Sequence, residues 1–285
     1  MTDARARLKE ILAGDRAVQA SSLFDPMSAR IADELGIEVG LMGGSVASLA
    51  VLGAPDTMVL TLTELAEQAR RVCRAGRLCV LVDADHGYGN ALNVMRTVEE
   101  LQAAGAAGCT IEDTLLPRAY GPSGDAQLLS LEEGVGTMKA AVRARGDRGM
   151  AIFGRTSAHS ITGVDDAIRR FKAYEAAGVD ALFIPGMKKR EDLEAISAAV
   201  RLPIVVGGLG EKLHDASWLA SRKVRIYAQG HEPFAAAVQA MYDAIKAVRD
   251  GTPPKELKGI ASGELMAKLT RSAGYDAFTK DYLGG

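Results

Sequence analysis

Short apolar runs alternate with amphipathic stretches along the whole chain. The run "LCVLVDAD" precedes "ALNVMRTVEELQAAG", and "MAIFGRT" precedes "VDDAIRRFKAYEAAG", in which apolar residues recur at helical spacing. The alternation repeats eight times, from "AVQASSLFD" to "VRIYAQG", without a linker or a low-complexity break. Strands that are apolar throughout and separated by helices are typical of a parallel sheet covered by helices.

Eight such units in a chain of 285 residues predict a closed (β/α)8 TIM barrel rather than a doubly wound sheet. We predict a single barrel domain over residues 1–285, with a helical tail from about residue 255. This tail is the amphipathic segment "ELKGIASGELMAKLTRSAGYDAFTKDYL". We expect it to pack on the parent barrel or on a neighbouring subunit.

Composition and charge exclude several classes of function. The formal net charge is -2 and the arginines are scattered, so no basic surface is predicted for nucleic acid. No apolar run approaches the length of a membrane span, and "MTDARARLKEILAGDR" lacks the apolar core of a signal peptide, so we expect a cytoplasmic protein. Cys73, Cys79 and Cys109 show no metal-ligand spacing, and their odd number argues against a disulfide framework.

Polar residues collect where the predicted strands end, which is where a barrel carries its chemistry. Strand three ends at Asp83 and Asp85, strand four at Glu112 and Asp113, and strand five at Arg155. Strand alternation places Asp83 and Asp85 on one face, so both carboxylates are expected to face the barrel mouth. Acids this close need a counter-charge, and an all-oxygen site favours Mg²⁺ or Mn²⁺ over Zn²⁺. The alternative is a salt-bridged strand end, neutralised by Arg155 or a lysine.

Two features are suited to binding an anion. The segment Gly43, Gly44 and Ser45 follows strand two and opens a helix, where the backbone can approach a carboxylate closely and offer N–H groups. The alternative is a tight turn with Ser45 as the helix N-cap. Arg155 is a second candidate, because a guanidinium can bind a carboxylate through two parallel hydrogen bonds.

Five motifs follow one another in the order and spacing of the isocitrate lyase and phosphoenolpyruvate mutase superfamily: "GGSVAS", "APDTMVLT", "VLVDADHGYGN", "GCTIEDTLLPR" and "GRTSA". The chain resembles this family over most of its length. The resemblance implies a barrel whose eighth helix is swapped between subunits of a homotetramer, a dimer of dimers. It also implies that Asp85 binds Mg²⁺, and that Asp56, Asp83 and Glu112 support the ion largely through water.

The loop after strand four departs from two branches of this family. It reads "LLPRAYGPSGDAQ", without the cysteine and histidine of the lyases and without the Lys- and Asn-rich sequence of the mutases. Cleavage of isocitrate or methylisocitrate and phosphonate chemistry are therefore disfavoured. The chain instead resembles the oxaloacetate decarboxylase branch, in which a histidine after strand eight faces the metal-bound ligand. His231 matches that histidine, and His86 in "DADHGYGN" also resembles the branch.

This resemblance implies Mg²⁺-dependent decarboxylation of oxaloacetate to pyruvate and CO₂. The substrate would chelate the ion through its 2-oxo and C1-carboxylate oxygens, and Arg155 with the segment Gly43, Gly44 and Ser45 would hold that carboxylate. The ion and a hydrogen bond from His231 would stabilise the enolate oxygen.

Other interpretations stay open. The chain could be a carbon–carbon lyase or hydrolase acting on a related 2-oxo or 2-hydroxy dicarboxylate, or an inactive relative that only binds such an acid. His231 could cap the last helix. The roles of His159 and His214 are undecided, and Tyr88 and Asn90 either orient metal-bound water or belong to the turn.

Overall fold

The computed structural model describes residues 4–118, 126–210 and 213–284. The chain divides into two compact units, Met1–Gly230 and His231–Gly285. In the first unit, eight parallel strands are hydrogen-bonded in chain order, and the eighth pairs with the first to close the sheet. The predicted (β/α)8 barrel is therefore confirmed.

Each strand is four or five residues long, as expected for the short apolar runs of the sequence. The strands are β1 Val18–Ser22, β2 Val39–Met42, β3 Cys79–Asp83, β4 Gly108–Glu112, β5 Ala151–Arg155, β6 Ala181–Pro185, β7 Ile204–Gly207 and β8 Val224–Ala228. The helices of this unit are α1 Ala4–Ala13, α2 Pro26–Glu34, α3 Gly44–Leu52, α4 Leu62–Ala75, α5 Ala91–Ala104, α6 Leu131–Arg145, α7 Ala158–Ile161, α8 Val164–Ala177, α9 Arg190–Ala199 and α10 Ala216–Ser221.

Two apolar clusters stabilise the barrel. The larger lies between the strands and the surrounding helices, and the smaller fills the barrel interior, where Phe153 and Phe183 contribute the largest side chains. Three buried residues of α1, Leu8, Ile11 and Leu12, belong to the interior cluster. The helix packs where the strands begin, so it closes the amino-terminal end of the barrel and leaves the carboxyl-terminal end for chemistry.

The second unit is helical. It contains α11 Glu232–Arg249, a short 3-10 helix Pro254–Glu256, α12 Gly263–Thr270 and α13 Ser272–Leu283. One face of α11 carries a stripe of exposed apolar residues: Val238, Met241, Tyr242, Ile245 and Val248. Their spacing of three or four residues is that of a helix with one apolar face. Among the helices of the described residues, none is long and apolar enough to cross a membrane.

Candidate active site

The polar residues predicted at three strand ends lie on neighbouring strands. In the barrel, β3 pairs with β4 and β4 pairs with β5, so these ends are adjacent. Asp83 lies opposite Thr110 in the register of β3 and β4, and Glu112 lies opposite Arg155 in that of β4 and β5. Two acids and one arginine are therefore placed side by side at the carboxyl-terminal end of the barrel.

Arg155 lies between Asp83 and Glu112 and forms an ion pair with each. Its Nη1 donates a hydrogen bond to Asp83 Oδ2, and its Nε lies 2.9 Å from Glu112 Oε2, an ion pair that is not aligned as a hydrogen bond. Thr110 Oγ1 donates to the other oxygen of Asp83 at 2.5 Å. This is the arrangement that the salt-bridge alternative predicted for these two acids.

The two acids respond differently to this environment. Burial alone would raise the pKa of Asp83, but the charge and hydrogen bond of Arg155, with the bond from Thr110, lower it below its ordinary value. Burial raises the pKa of Glu112, and Arg155 only partly opposes that effect. Asp83 is therefore the ionised partner of Arg155, and Glu112 is the acid that more readily carries a proton when no further cation is near.

Asp85 is placed by a turn rather than by strand alternation, which corrects the sequence argument. β3 ends at Asp83, and Asp85 has φ 49°, in the left-handed region that non-glycine residues rarely adopt. Its carbonyl still accepts a hydrogen bond from Glu112 N at 2.8 Å, which ties the turn to β4. The side chain is thus held near the other acids by an uncommon backbone conformation of the kind that collects at functional sites.

The Asp85 carboxylate has no ion-pair partner among the described residues, in contrast to Asp83 and Glu112. Burial and the negative charges of Asp83, Glu112 and Asp56 raise its pKa to about 8, although Arg155 opposes them. Asp56 itself is exposed, in the loop between α3 and α4. Asp85 is therefore the acid of this cluster that lacks a paired cation.

The segment Gly43, Gly44 and Ser45 lies against Asp85. Helix α3 begins at Gly44, with Gly43 at the N-cap, so Ser45 is not the N-cap that the turn alternative proposed. A Cβ atom at position 44 would lie only 2.8 Å from both carboxylate oxygens of Asp85. The first N–H groups of a helix have no carbonyl partner within that helix, so this end of α3 offers donors beside the carboxylate.

The turn after Asp85 continues with positive φ angles, and Tyr88 is the residue there for which this conformation is uncommon, because glycines adopt it readily. Gly87, Tyr88 and Gly89 also have positive φ angles, of 82°, 64° and 147°. The hydroxyl of Tyr88 is buried and has no hydrogen-bond partner within the described part of the chain. Burial, with the nearby charges of Asp85 and Asp83, raises the pKa of Tyr88, so its hydroxyl stays protonated and able to donate.

Asn90 is used by the start of α5. Its Oδ1 accepts a hydrogen bond from Leu92 N at 2.9 Å, and Asn93 Oδ1 accepts from Asn90 N at 3.0 Å. These reciprocal bonds form a capping box, in which both side chains satisfy backbone donors of the first turn. The structure therefore assigns Asn90 to turn chemistry.

Three further histidines, His86, His159 and His214, each lie in a different environment. His86 follows Asp85, and burial lowers its pKa. Burial also lowers the pKa of His159 on α7, against the opposing effect of a backbone hydrogen bond with Gly186. His214 Nε2 lies 3.4 Å from the carbonyl oxygen of Leu209.

His231 is the first residue of the second unit and follows β8 by three positions. It occupies the N-cap position of α11, but its side chain makes no capping hydrogen bond. Its backbone carbonyl accepts from Phe234 N at 3.0 Å. Most of the loop after β4, which reads "LLPRAYGPSGDAQ", falls on residues 119–125, which lie outside the described residues.

Sequence reasoning missed a buried hydrogen-bond network around Asp113, the residue that follows β4. Asp113 is contacted by Arg170 and Tyr174 of α8, and all three residues are buried. Arg170 and Tyr174 are four residues apart and share the apolar face of α8 with Ala167 and Phe171. An arginine on the buried face of an amphipathic helix was the available signal, because a buried arginine needs an acidic partner.

Comparison with known proteins places this geometry in a family. The family model described as phosphoenolpyruvate phosphomutase matches residues 8–249. A protein of Bradyrhizobium diazoefficiens named oxaloacetate decarboxylase is 58% identical over 280 residues, which cover 98% of this chain and 97% of that protein. One of the same name from Paraburkholderia xenovorans is 52% identical over 284 residues, 100% of this chain and 95% of the other.

A solved structure extends the likeness to the fold. The crystal structure of a phosphonopyruvate hydrolase, in complex with oxalate and Mg²⁺, superposes with a TM-score of 0.88 at 28% sequence identity and covers 99% of this chain and 100% of the other. The superfamily resemblance drawn from the sequence motifs is confirmed. With its closed barrel, its acidic strand ends and a family match that extends over most of its length, the chain belongs to the phosphoenolpyruvate phosphomutase family.

Proposed function

We propose that this protein decarboxylates oxaloacetate to pyruvate and CO₂ and uses a Mg²⁺ ion to do so. The observation that carries the proposal is the carboxylate of Asp85, which has no ion-pair partner among the described residues and lies near the Arg155 ion pairs and against the start of α3. The names of the relatives that are 52% and 58% identical support the choice of oxaloacetate as substrate.

The residues present fit a magnesium ion. Gly44 leaves beside the Asp85 oxygens a space that any other residue would fill with its Cβ atom. Arg155 forms ion pairs with two of the three clustered acids, but its single positive charge does not balance three carboxylates, so a divalent cation near Asp85 would compensate the two remaining negative charges. In the described part of the chain, no three His, Cys, Asp or Glu side chains are grouped closely enough to enclose a metal. Few protein ligands suit Mg²⁺, which retains waters and accepts substrate oxygens.

Asp85 would hold the ion directly, and Asp83, Glu112 and Asp56 would support it through water. The bound ion would supply Lewis-acid stabilisation of negative charge on the substrate. Mn²⁺ has similar ligand preferences and would substitute for Mg²⁺.

The substrate carboxylate at C1 would be held by donors of the chain. The N–H groups at the start of α3, from Gly44 and Ser45, are available for an anion, with Gly43 at the N-cap. Arg155 has five N–H donors, and its contacts with Asp83 and Glu112 leave donors for a substrate oxygen. These groups would orient oxaloacetate so that its distal carboxylate points away from the acids.

In the reaction, the bond between C3 and the distal carboxylate breaks, and CO₂ leaves. The electron pair of that bond moves towards the 2-oxo oxygen, to which we propose that His231 donates a hydrogen bond. A proton then adds at C3 and gives pyruvate. None of these steps requires a thiol, and burial raises the pKa of Cys73 and Cys109 to about 12, so neither is a ready nucleophile.

The test is release of pyruvate and CO₂ from oxaloacetate with Mg²⁺ and with EDTA, corrected for the uncatalysed rate of the ion itself. We expect release that depends on the metal, is lost in Asp85→Ala, and is retained in Asp147→Ala, which removes an exposed acid of the turn after α6. His231→Gln should depress kcat much more than Mg²⁺ affinity. Formation of oxalate and acetate instead would contradict decarboxylation and indicate a hydrolase.

We further propose that the protein assembles as a homotetramer, a dimer of dimers in which subunits exchange α11. The support is the exposed apolar stripe on that helix, which includes Met241 at 57% and Tyr242 at 64% exposure, because such a stripe is costly to leave in water. Sedimentation equilibrium should give four chains for the wild type. Tyr242→Glu on the stripe should reduce the assembly, and Gln239→Glu on the polar side should not.

A further inference from the structure

The side chain of Asp113 is completely buried and accepts hydrogen bonds from two residues of α8. Its Oδ2 accepts hydrogen bonds from Arg170 Nη1 at 2.8 Å and from Tyr174 Oη at 2.5 Å. Arg170 Nε also donates to Asp166 at 2.9 Å. Burial raises the pKa of Asp113, and interactions with Tyr174, Thr156 and Arg170 oppose that effect. An ion pair this deep is costly unless its polar atoms are satisfied; Oδ2 accepts the bonds from Arg170 and Tyr174, whereas the buried Oδ1 has no hydrogen-bond partner within the described residues.

Arg170 also binds the far end of the loop that follows β4. The Nη1 atom that donates to Asp113 donates as well to the carbonyl oxygen of Leu129, at 3.0 Å. The two ends are joined directly, because Leu129 N donates to Asp113 O at 2.8 Å and Leu115 N donates to Gln127 O at 2.7 Å. One guanidinium of α8 therefore holds both the residue at which the loop leaves the barrel and the residue at which it returns.

The network is connected to the candidate active site through the backbone. Asp113 directly follows Glu112, the acid that lies 2.9 Å from Arg155. The amide of Asp113 also donates to the carbonyl oxygen of Arg155, at 3.3 Å. Any rotation of the chain at Asp113 would therefore turn Glu112 and shift its contact with Arg155.

Two glycines, which lack a Cβ atom, leave space for the side chain of Tyr174. A Cβ atom at Gly134 of α6 would lie 2.7 Å from the Tyr174 hydroxyl, and one at Gly154 of β5 would lie 3.2 Å from its side chain. Gly154 immediately precedes Arg155. A helix and a strand thus leave room for this side chain. A phenylalanine would occupy the same space, so the hydroxyl is needed only for its bond to Asp113.

We propose that Arg170 and Tyr174 are positioning residues of the active site. They act through Asp113 to fix the direction of Glu112 at the end of β4 and to hold together both ends of the loop that begins there. The proposal rests on the proposed function in one respect, namely that Glu112 supports a bound Mg²⁺ ion. Neither Arg170 nor Tyr174 would touch the ion or the substrate.

The test compares Arg170→Lys and Tyr174→Phe with Arg145→Lys as the matched control. Arg145 forms a partly buried ion pair with Asp180, which holds β5 at its opposite end by accepting from Ile152 N at 2.8 Å. Mg²⁺ alone is titrated into each metal-free full-length protein by calorimetry. The kcat and the KM for oxaloacetate at saturating Mg²⁺ are then measured, with the Tm of each variant.

We expect Arg170→Lys to weaken Mg²⁺ binding about tenfold and to lower kcat, since supporting partners of metal ligands have effects of this size. Tyr174→Phe should show a smaller loss in the same direction. Arg145→Lys should lower Tm and leave Mg²⁺ affinity and kcat as in the wild type.

The proposal would be overturned if Arg170→Lys and Tyr174→Phe lowered Tm but kept wild-type Mg²⁺ affinity and kcat. The network would then be structural only. The Mg²⁺ titration does not depend on turnover, so a wild type that bound Mg²⁺ without decarboxylating oxaloacetate would contradict the proposed function while the titration still tested the network. A wild type that bound no Mg²⁺ would overturn both.

Discussion

The backbone of Gly44 approaches Asp85 so closely that a Cβ atom at position 44 would lie 2.8 Å from both oxygens of that carboxylate. Gly44→Ala should therefore displace Asp85 and weaken Mg²⁺ binding by about tenfold or more. Calorimetric titration with Mg²⁺ measures this directly. The barrel should remain folded, because the clash is with one side chain and not with the core.

A matched control for this substitution is Gly136→Ala. Gly136 is exposed within α6, and a Cβ atom there would meet nothing within 4 Å. That change should leave Mg²⁺ affinity unaltered and stabilise the protein by roughly 0.5–1 kcal/mol, because alanine favours a helix interior over glycine. Equal Mg²⁺ affinity in Gly44→Ala and the wild type would show that the close approach has no role in binding.

Asp85→Asn should make the metal-free protein more stable while abolishing Mg²⁺-dependent activity. The pKa of Asp85 is about 8, against an ordinary value of 3.8. Between pH 3.8 and about pH 8, Asp85 is protonated in the folded wild type and ionised in the unfolded chain. The free energy of unfolding of the wild type therefore falls as pH rises through this range and becomes constant above about pH 8. The variant lacks this loss, which is about 1.4 kcal/mol for each pH unit between the two pKa values, and should therefore gain several kcal/mol at pH 8.

Urea unfolding of both proteins in EDTA at pH 5 and pH 8 tests this expectation. The advantage of the variant should be larger at pH 8. If it were the same at both values, the charge of Asp85 would not be the source of the instability.

The affinity for Mg²⁺ should depend on pH through the same group. A protonated Asp85 must lose its proton to bind the ion, so affinity should fall roughly tenfold for each pH unit below about 8 and become constant above it. Titrations between pH 6 and pH 9 would show this midpoint. Asp56→Asn removes one of the charges that raise the pKa of Asp85, and should move the midpoint to lower pH. A midpoint near pH 4 would contradict this assignment.

Arg155→Met should be strongly destabilising, by about 3–5 kcal/mol at neutral pH, because it leaves two buried carboxylates without their counter-charge. The loss should be smaller at pH 5, where Asp83 and Glu112 can take up protons. The exposed pair of Arg16 and Glu38 gives the comparison, and Arg16→Met should cost about 1 kcal/mol or less. Denaturant unfolding at pH 5 and pH 8 measures both variants, and an equal loss at the two pH values would be inconsistent with unpaired acids.

The sequence predicted the barrel well because its signal is repeated. Each β-strand is short, apolar and followed by a helix with one apolar face, so eight independent segments favour the same architecture. The proximity of Asp83, Glu112 and Arg155 followed from the rule that strand ends meet at one end of a barrel. Local patterns and one geometric rule were sufficient for these conclusions.

Other parts of the site depended on information that no local pattern carries. The alternation of side chains along a strand predicts the position of Asp85 only if β3 continues to that residue. β3 ends two residues earlier, and a left-handed turn sets the position of Asp85. The choice of Arg155 as partner for both acids was left open, because pairing depends on rotamers and distances. Arg170 and Tyr174 were read as part of an ordinary amphipathic helix, since only the fold brings them to Asp113, more than fifty positions earlier in the chain.

The packing of α1 against the amino-terminal end of the barrel has a consequence for how substrate enters and product leaves. Leu8, Ile11 and Leu12 seal the end at which the strands begin, and the interior is filled by apolar side chains. Within the described residues, the barrel is therefore closed at its amino-terminal end, and its carboxyl-terminal end is left for entry. Under the proposed function, oxaloacetate would enter and pyruvate and CO₂ would leave through the same end of the barrel, so a product bound there would exclude the next substrate molecule and should act as a competitive inhibitor.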